Sequence, residues 1–536
     1  MADRRALLAA GVAFVAVATV PVDGLPSHAQ FALATAAFAG TLWVTGGLPL
    51  PITALTIPVV LTAFGVVPTA GAAVAGFADP IVFLLLAGFV LAEALQKHGT
   101  DRRIAYHVLA AVGTSPRRIV LAVMLATAAL SMVISNSATT AMMVPIAIGI
   151  ADRVGADAAT GTADAGRVPT MATDETGGRA DGTAPADANG DTSDGRSNFR
   201  LAMVLGVAYA ASIGGVGTLI GTPPNAILVS QLAEQIGYTI TFGEWLAVGL
   251  PFVAVGLPLT WYVLTVAVYP PQITDVTAAR ADARRYLRDV GPPSTDERRV
   301  LLITGLTAGL WLLGGFSFLF EGRLPATWYA TLFGGSEGSL FGAGAHQGVL
   351  YYVTVGLAAI PALSIAGVLE WEDVQRIDWG TIVLLGGGIT LANALAATNA
   401  TQWLAANAVD AVAGAPLFLV ALAVAAITIA VSELASNTAM AAISVPILIA
   451  MGPRYADQFA GDPTTASVFL AVTGGIAASF GFALPVATPP NAIAFGTGSM
   501  TKDDMLKPGI LLDVAMAAVT AVLAYGLFTV VWPLLG

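Results

Sequence analysis

The chain contains no cysteine. Disulfides, thiolate nucleophiles and cysteine-ligated metals are therefore excluded. Lysine is nearly missing as well: Lys97, Lys502 and Lys507 are the full set. The histidines, His28, His98, His107 and His346, are scattered and share no ligand spacing such as His-Glu-x-x-His. Charged residues of both signs make up 11% of the chain, against about 25% in an ordinary soluble domain. The apolar runs hold no nucleophile–base pair, metal-ligand set or carboxylate cluster, so an embedded enzyme has nothing to work with. The short alternating segments of a β-barrel are also absent. Nothing in the charge pattern suits nucleic acid.

What fills the 536 residues is apolar chain, 56% hydrophobic with a mean hydropathy of +0.79. Many runs approach or exceed the roughly 18–20 residues that span a bilayer as a helix. The fold class expected is an all-α polytopic membrane protein, with the lipid bilayer as its surroundings. Spans are expected at 5–22, 28–46, 48–67, 80–96, 244–269, 299–320, 347–367, 380–397 and 508–533. The first follows Arg4-Arg5 like a secretory signal but lacks a small-x-small cleavage site before Pro21, so it is read as a transmembrane helix. A short interfacial helix is expected at 104–115.

One pattern occurs twice. Ser131-Met-Val-Ile-Ser135-Asn136-Ser137 lies inside an apolar block. About 300 residues later stands Ser432-Glu-Leu-Ala-Ser436-Asn437-Thr438. Pro145 and Pro446 follow at the same distance. Each copy is trailed by a second shared motif, Gly221-Thr-Pro-Pro-Asn-Ala-Ile227 and Ala487-Thr-Pro-Pro-Asn-Ala-Ile493. The arms beside Ser135 are too short to cross the roughly 30 Å core, so re-entrant hairpins are expected at 118–151 and 415–452. Paired prolines interrupt the helical hydrogen-bond ladder, so broken helices are expected at 199–236 and 465–500. Upstream, Leu85-Leu-Ala-Gly-Phe-Val-Leu-Ala-Glu93-Ala-Leu95 aligns with Leu385-Gly-Gly-Gly-Ile-Thr-Leu-Ala-Asn393-Ala-Leu395.

The chain therefore divides as follows. Residues 1–96 are N-terminal helices and the start of the first repeat. Residues 97–269 complete that repeat. Inside it, 152–198 is a stretch rich in Asp, Gly, Thr and Ala with few large apolar side chains, expected to be disordered and read as a tolerated insertion or a regulatory segment. Residues 270–298 form an arginine-rich linker loop. Residues 299–379 hold further helices, and 380–536 the second hairpin, broken helix and last span.

Counting eleven spans, with the N-terminus cytoplasmic and the C-terminus outside, places all but two of the 23 Lys and Arg on the cytoplasmic side; Arg323 and Arg454 are the exceptions. The hairpins then enter from opposite faces, which makes an inverted repeat of the secondary-transporter kind, set in a cell membrane. The net charge of −11 with so little lysine suits a surface hydrated at high salt; a GC-rich genome leaves the same mark.

The motif side chains are Ser, Asn and Thr, with backbone freed where helices break. Hydroxyls, amide oxygens and free carbonyls ligate a hard cation such as Na⁺. Backbone N–H groups at half-helix N-termini bind anions. Together they suit symport of a cation with an anion. Glu433 is read as steadying its hairpin tip by hydrogen bonding. Glu93, whose repeat partner is the uncharged Asn393, is read as a helix-packing residue.

These motifs resemble those of the divalent anion:sodium symporter family, whose members carry C4-dicarboxylates, citrate and sulfate. The resemblance covers nearly the whole chain outside 152–198. It implies a homodimer in which each protomer has a scaffold and an elevator-type transport domain. It implies one Na⁺ site at Ser131, Ser135, Asn136 and the Gly221 carbonyl, and a second at Ser432, Ser436, Asn437 and the Ala487 carbonyl. Substrate carboxylates would meet Asn136, Ser137, Asn437 and Thr438, with Thr222, Pro223, Thr488 and Pro489 lining the same space. Ser137 departs from the family's dicarboxylate pattern, which has threonine there. Exchangers of the family that dispense with Na⁺ place basic residues at these positions; none stands here. The function implied is Na⁺-coupled symport of a small divalent anion such as succinate. A sulfate or other inorganic-anion symporter and a proton-coupled antiporter are the alternatives, and no organic cofactor is implied.

Overall fold

The computed structural model describes residues 3–20, 22, 24–111, 115–164, 197–273, 277–335, 339–340, 346–410 and 415–531. Among them every regular element is helical and no strand forms. Five helical segments are long and apolar enough to cross a membrane: Ala70–Lys97, Phe242–Val268, Trp379–Ala397, Asn437–Phe459 and Lys502–Val530. Leu50–Ala63, Tyr352–Ile365, Leu417–Ser432 and Pro463–Ala477 are apolar but shorter.

The chain opens with α1 (Arg4–Thr19), α2 (Ser27–Thr45), α3 (Leu50–Ala63) and the short α4 (Ala70–Val74). The span expected through 67 ends at Ala63 because Gly65 takes a left-handed φ of 67° and turns the chain. Next come α5 (Pro80–Lys97), α6 (Thr100–Ala111), α7 (Pro116–Ser131), α8 (Asn136–Asp164), α9 (Asn198–Gly215), α10 (Pro223–Ile236) and α11 (Phe242–Tyr262). Asp79 caps α5 by accepting from the Ile81 N–H at 2.8 Å, with Pro80 at the first helical position. Helix α6 lies where an interfacial helix was expected but starts earlier. Helix α8 runs to Asp164, so 152–164 are helical rather than disordered; the four alanines in this stretch favour helix. The rest of the expected insert, 165–196, lies outside the described residues.

The linker expected as a loop contains α12 (Thr277–Val290). After it come α13 (Thr295–Gly315), α14 (Ala326–Phe333), α15 (Tyr352–Ile365) and α16 (Trp371–Val374). The second series is α17 (Trp379–Ala397), α18 (Ala400–Asp410), α19 (Leu417–Ser432), α20 (Asn437–Met451), α21 (Pro463–Ala477), α22 (Pro489–Gly496) and α23 (Lys502–Gly526). Helices α5–α11 and α17–α23 match one for one. Even their endings agree, since α11 and α23 each finish in a π-helical turn, Val263–Val268 and Leu527–Val531.

The two series interlock. Half-helix α10 of the first packs on α20 and α21 of the second, and α22 packs on α8 and α9. A buried fork ties α6 to the start of α13. Arg103 on α6 donates from Nε and Nη2 to Glu297 at 2.8 and 2.9 Å and from Nη1 to the Gly291 carbonyl at 2.8 Å. Glu297 also accepts from the Ser294 N–H, capping α13. The guanidinium holds the Glu297 carboxyl below its usual range, with the Ser294 amide helping and burial opposing. A depressed native pKa means this stabilisation is complete above the unfolded-state value and is lost as pH falls through the native one. Glu297→Gln is expected to lower the melting temperature at pH 7. The gap from wild type should close as the pH drops below about 4. Tryptophan-fluorescence melts across pH check this; a gap that stays constant into acid would refute it.

Candidate functional site

The two hairpins turn in the same way. In each, the first arm ends at the upstream serine, Ser131 or Ser432, and the second begins at the asparagine, Asn136 or Asn437. The broken helices do the same at the threonine–proline step, where α10 and α22 begin at Pro223 and Pro489. Proline suits a first helical position because it lacks only an N–H that the helix would not use.

Between these turns lies a cavity of about 640 Å³. Ser135, Asn136 and Ser137 line it from one tip, Ser436, Asn437 and Thr438 from the other, and Gly221–Pro223 and Ala487–Pro489 from the breaks. All the substrate residues expected from sequence thus meet in one place. Ser131 and Ser432 are fully buried behind the tips instead. Sequence reasoning did not anticipate the opposing wall of Trp43, Thr45, Phe89, Asp378 and Thr381. Among the described residues no lysine or arginine lines the cavity. Among the described lining residues the carboxylate is Asp378, which is engaged in capping α17 through the Thr381 N–H and hydroxyl, at 3.0 and 2.5 Å.

The first residues of α8, α10, α20 and α22 all border the cavity. Four helix N-termini therefore converge on it with their positive dipole ends; the first turns of α8 and α20 also present N–H groups, whereas α10 and α22 open on Pro-Pro, which has none. Such an arrangement suits an anion without calling on a cationic side chain.

Behind the first tip is an oxygen-rich corner. Ser131 Oγ donates to the Ala211 carbonyl at 2.8 Å. One terminal atom of the Asn136 amide stands 2.6 Å from Ser131 Oγ, 3.1 Å from the Ala211 carbonyl oxygen and 3.2 Å from that of Gly221. With nitrogen there, the corner is a hydrogen-bonded knot. With oxygen there, four oxygens face one another, which a small hard cation satisfies. The donor set therefore fits Na⁺. Gly215 makes the corner possible: a Cβ on it would overlap the Asn136 amide. At the second tip, Ser432 Oγ donates to the Ala478 carbonyl at 3.3 Å, and Asn437 Oδ1 is buried with no donor among the described residues.

The asparagines of the two breaks, absent from the expected site, play matching parts. Asn225 donates both amide hydrogens to the carbonyls of Gly215 and Thr218, at 3.0 and 2.7 Å. Asn491 does so to Gly481 and Leu484, both at 3.0 Å. In each, Oδ1 is left buried without a donor among the described residues. The repeated Pro-Pro-Asn was the signal that could have found them.

Glu433 accepts from the Ala483 and Leu484 N–H groups at 2.9 and 2.7 Å, and Asp513 on α23 accepts from Phe482 N–H at 3.1 Å. Three successive amides of the unwound stretch are thus held by two carboxylates. The expected steadying role of Glu433 is seen in this bonding. In the first repeat the tether has the opposite sense, the Thr218 hydroxyl donating to the Met132 carbonyl at the tip. Glu93 is half-buried on α5, and Asn393 accepts from Gln231 at 2.8 Å.

A polytopic helical fold with a duplicated polar cavity between two hairpin tips is the form of a membrane transporter. Comparison with known proteins makes the assignment narrower. Residues 2–535 match the model of the sodium:sulfate symporter transmembrane region, and the chain belongs to that family of Na⁺-coupled anion symporters. It is 34% identical to an uncharacterized transporter of Haemophilus influenzae, over 96% of this chain and 94% of that one. It is 29% identical to the sodium-dependent dicarboxylate transporter SdcS of Staphylococcus saprophyticus, over 96% and 88%. With SdcS of Staphylococcus aureus USA300 the identity is 27%, over 95% and 87%. Among solved structures, the YdaH transporter of Alcanivorax borkumensis, described as having an unusual topology, shares the fold. The TM-score is 0.52 at 15% identity, over 86% of this chain and 88% of that one.

Proposed function

We propose that this cavity carries a C4-dicarboxylate such as succinate across the membrane together with Na⁺. The observation that carries the reading is the convergence of four helix N-termini on a cavity that, among the described residues, has no cationic side chain. Dipole ends of about half a charge each stabilise a dianion locally, but a helix dipole carries no net charge, so a dianion crossing the membrane still needs mobile cations to neutralise it. The oxygen corner at Ser131, Asn136 and the Gly221 carbonyl, with the Ser135 hydroxyl at the tip beside it, supplies one cation position. Ser432, Ser436, Asn437 and Ala487 supply the other. Asn136, Ser137, Asn437 and Thr438 then address the two carboxylates, with Thr222, Pro223, Thr488 and Pro489 closing the walls. The dicarboxylate names of the SdcS relatives favour this substrate over sulfate, the ion in the family's own description.

The same reading makes the repeats inverted and the hairpins re-entrant from opposite faces, with the N-terminus cytoplasmic. It divides each protomer of a homodimer into a scaffold and a transport domain that moves as an elevator. The expected result in proteoliposomes is succinate accumulation driven by an inward Na⁺ gradient and absent with K⁺ alone. Excess sulfate should leave it nearly unchanged. Sulfate uptake that succinate does not inhibit would replace the dicarboxylate reading by the inorganic-anion one. Uptake that follows pH and ignores Na⁺ would refute Na⁺ coupling.

A further inference from the structure

A second cavity, of about 520 Å³, lies away from the transport site among α6, α8 and α12. Its two ends differ in chemistry. Along α8, Ala141, Pro145 and Gly149 form a shallow exposed strip, with Met142 and Ile146 partly buried beside it. Ala141 and Gly149 are eight residues apart, so the strip is about 12 Å long. At its charged end stand Arg102 of α6, Arg153 of α8 and Arg285 of α12, with Asp282 and Asp289. Arg153 is paired with Asp282. Among the described residues, Arg102 and Arg285 have no ion-pair partner, and both are exposed. Tyr106 and Tyr286 stack at 4.0 Å between ring centroids and close the side of the cavity.

The surroundings extend the positive charge. Arg284 and Arg288 are exposed on α12, and Arg117 and Arg118, both exposed, stand at the start of α7. A cluster of arginines beside membrane-spanning helices attracts anionic headgroups, at about 1 kcal/mol per residue near the surface. An apolar strip that runs into such a cluster has the two-ended chemistry of one molecule class.

We propose that this cavity is a binding site for an anionic phospholipid, with an acyl chain along Ala141, Pro145 and Gly149 and the headgroup phosphate on Arg102 and Arg285. Its place gives it a consequence. Helix α6 joins α5 to the first hairpin and α12 joins α11 to α13, so the lipid sits between both connectors and the hairpin arm α8. Lipid bound there stiffens the joints through which the hairpin is attached to the rest of the molecule.

The test uses the purified full chain in nanodiscs and does not depend on which anion is transported. Thermal stability and native mass spectrometry are read in pure phosphatidylcholine and with added phosphatidylglycerol. Wild type is expected to retain phosphatidylglycerol and to melt higher in its presence. The double variant Arg102→Gln/Arg285→Gln should lower that affinity about tenfold or more. Gly149→Leu places a side chain in the strip where a Cβ meets nothing within 4 Å. Leucine is also the better helix former, so this variant should fold and yet lose the phosphatidylglycerol response. Equal retention of both lipids by wild type would overturn the proposal. So would a full response in Gly149→Leu, or an equal stabilisation by inorganic phosphate alone, which would mark a free-anion site.

Discussion

Asn136→Ala is expected to abolish Na⁺-dependent uptake while leaving the protein in the membrane. The asparagine amide touches Ser131, Ala211 and Gly221 within 3.2 Å, so its removal opens the corner from three directions. A hydrogen bond or ligand bond to a charged group is worth about 1.5–3 kcal/mol. Removing one ligand of that strength weakens Na⁺ binding by about 10- to 100-fold. Asn136 also borders the substrate cavity, so substrate binding fails together with ion binding. Gly215→Ala should reproduce the defect from behind the site, because its methyl would overlap the same amide. Gly215 does not line the cavity, so this variant separates disturbance of the cation corner from removal of a substrate-binding group. Its uptake should recover in part at high Na⁺, whereas that of Asn136→Ala should not. Uptake measured over a Na⁺ series in both variants decides it. Normal uptake in Asn136→Ala would remove the corner from the mechanism.

The parts legible in the sequence are those where polar groups interrupt apolar chain twice. Ser-Asn inside a hydrophobic block and Thr-Pro-Pro-Asn inside a helix each strain a local rule, and the duplication shows that the strain is built in. Both hairpin turns and both breaks stand where those motifs put them. Other features were hidden for physical reasons. Helix α12 reads as a loop because its arginines swamp the hydropathy signal, although Ala283 is fully buried and Tyr286 and Leu287 are partly covered. Trp43, Asp378 and Thr381 reach the cavity from helices outside the motif regions, and only packing brings them there. Asp513 lies in an apolar run with no motif around it, and nothing in sequence tells a carboxylate that accepts a buried amide from one facing water.

Glu433→Ala is expected to be as damaging as removal of a tip asparagine, by a different route. The second broken helix unwinds over 478–488, a longer stretch than 216–222 in the first. A longer break frees more backbone N–H groups, and each left unpaired in a membrane costs several kcal/mol. Here Glu433 takes two of them and Asp513 a third. Asn491 fixes the neighbouring carbonyls, and the Tyr209 hydroxyl donates to Phe482 O at 2.8 Å. Removing the Glu433 carboxylate orphans two amides at once. The stretch that carries the Ala487 carbonyl toward the second cation position then loses its fixed path. In the first repeat Met132 stands where Glu433 does, and the tether there runs through the Met132 carbonyl. Met132→Leu should therefore be mild, within about 1.5 kcal/mol. Asp513→Asn keeps an oxygen to accept from Phe482 N–H, while Asp513→Ala does not. The expected order of damage is Glu433→Ala first, then Asp513→Ala, then Asp513→Asn, with Met132→Leu close to wild type. The measurement is the Na⁺ concentration for half-maximal uptake, set beside the substrate KM at saturating Na⁺. A brace that shapes the second cation position raises the first quantity in Asp513→Ala by about tenfold or more and leaves the second nearly unchanged. A purely structural strut would lower the amount of folded protein and shift neither, and that outcome would separate the carboxylates from ion binding.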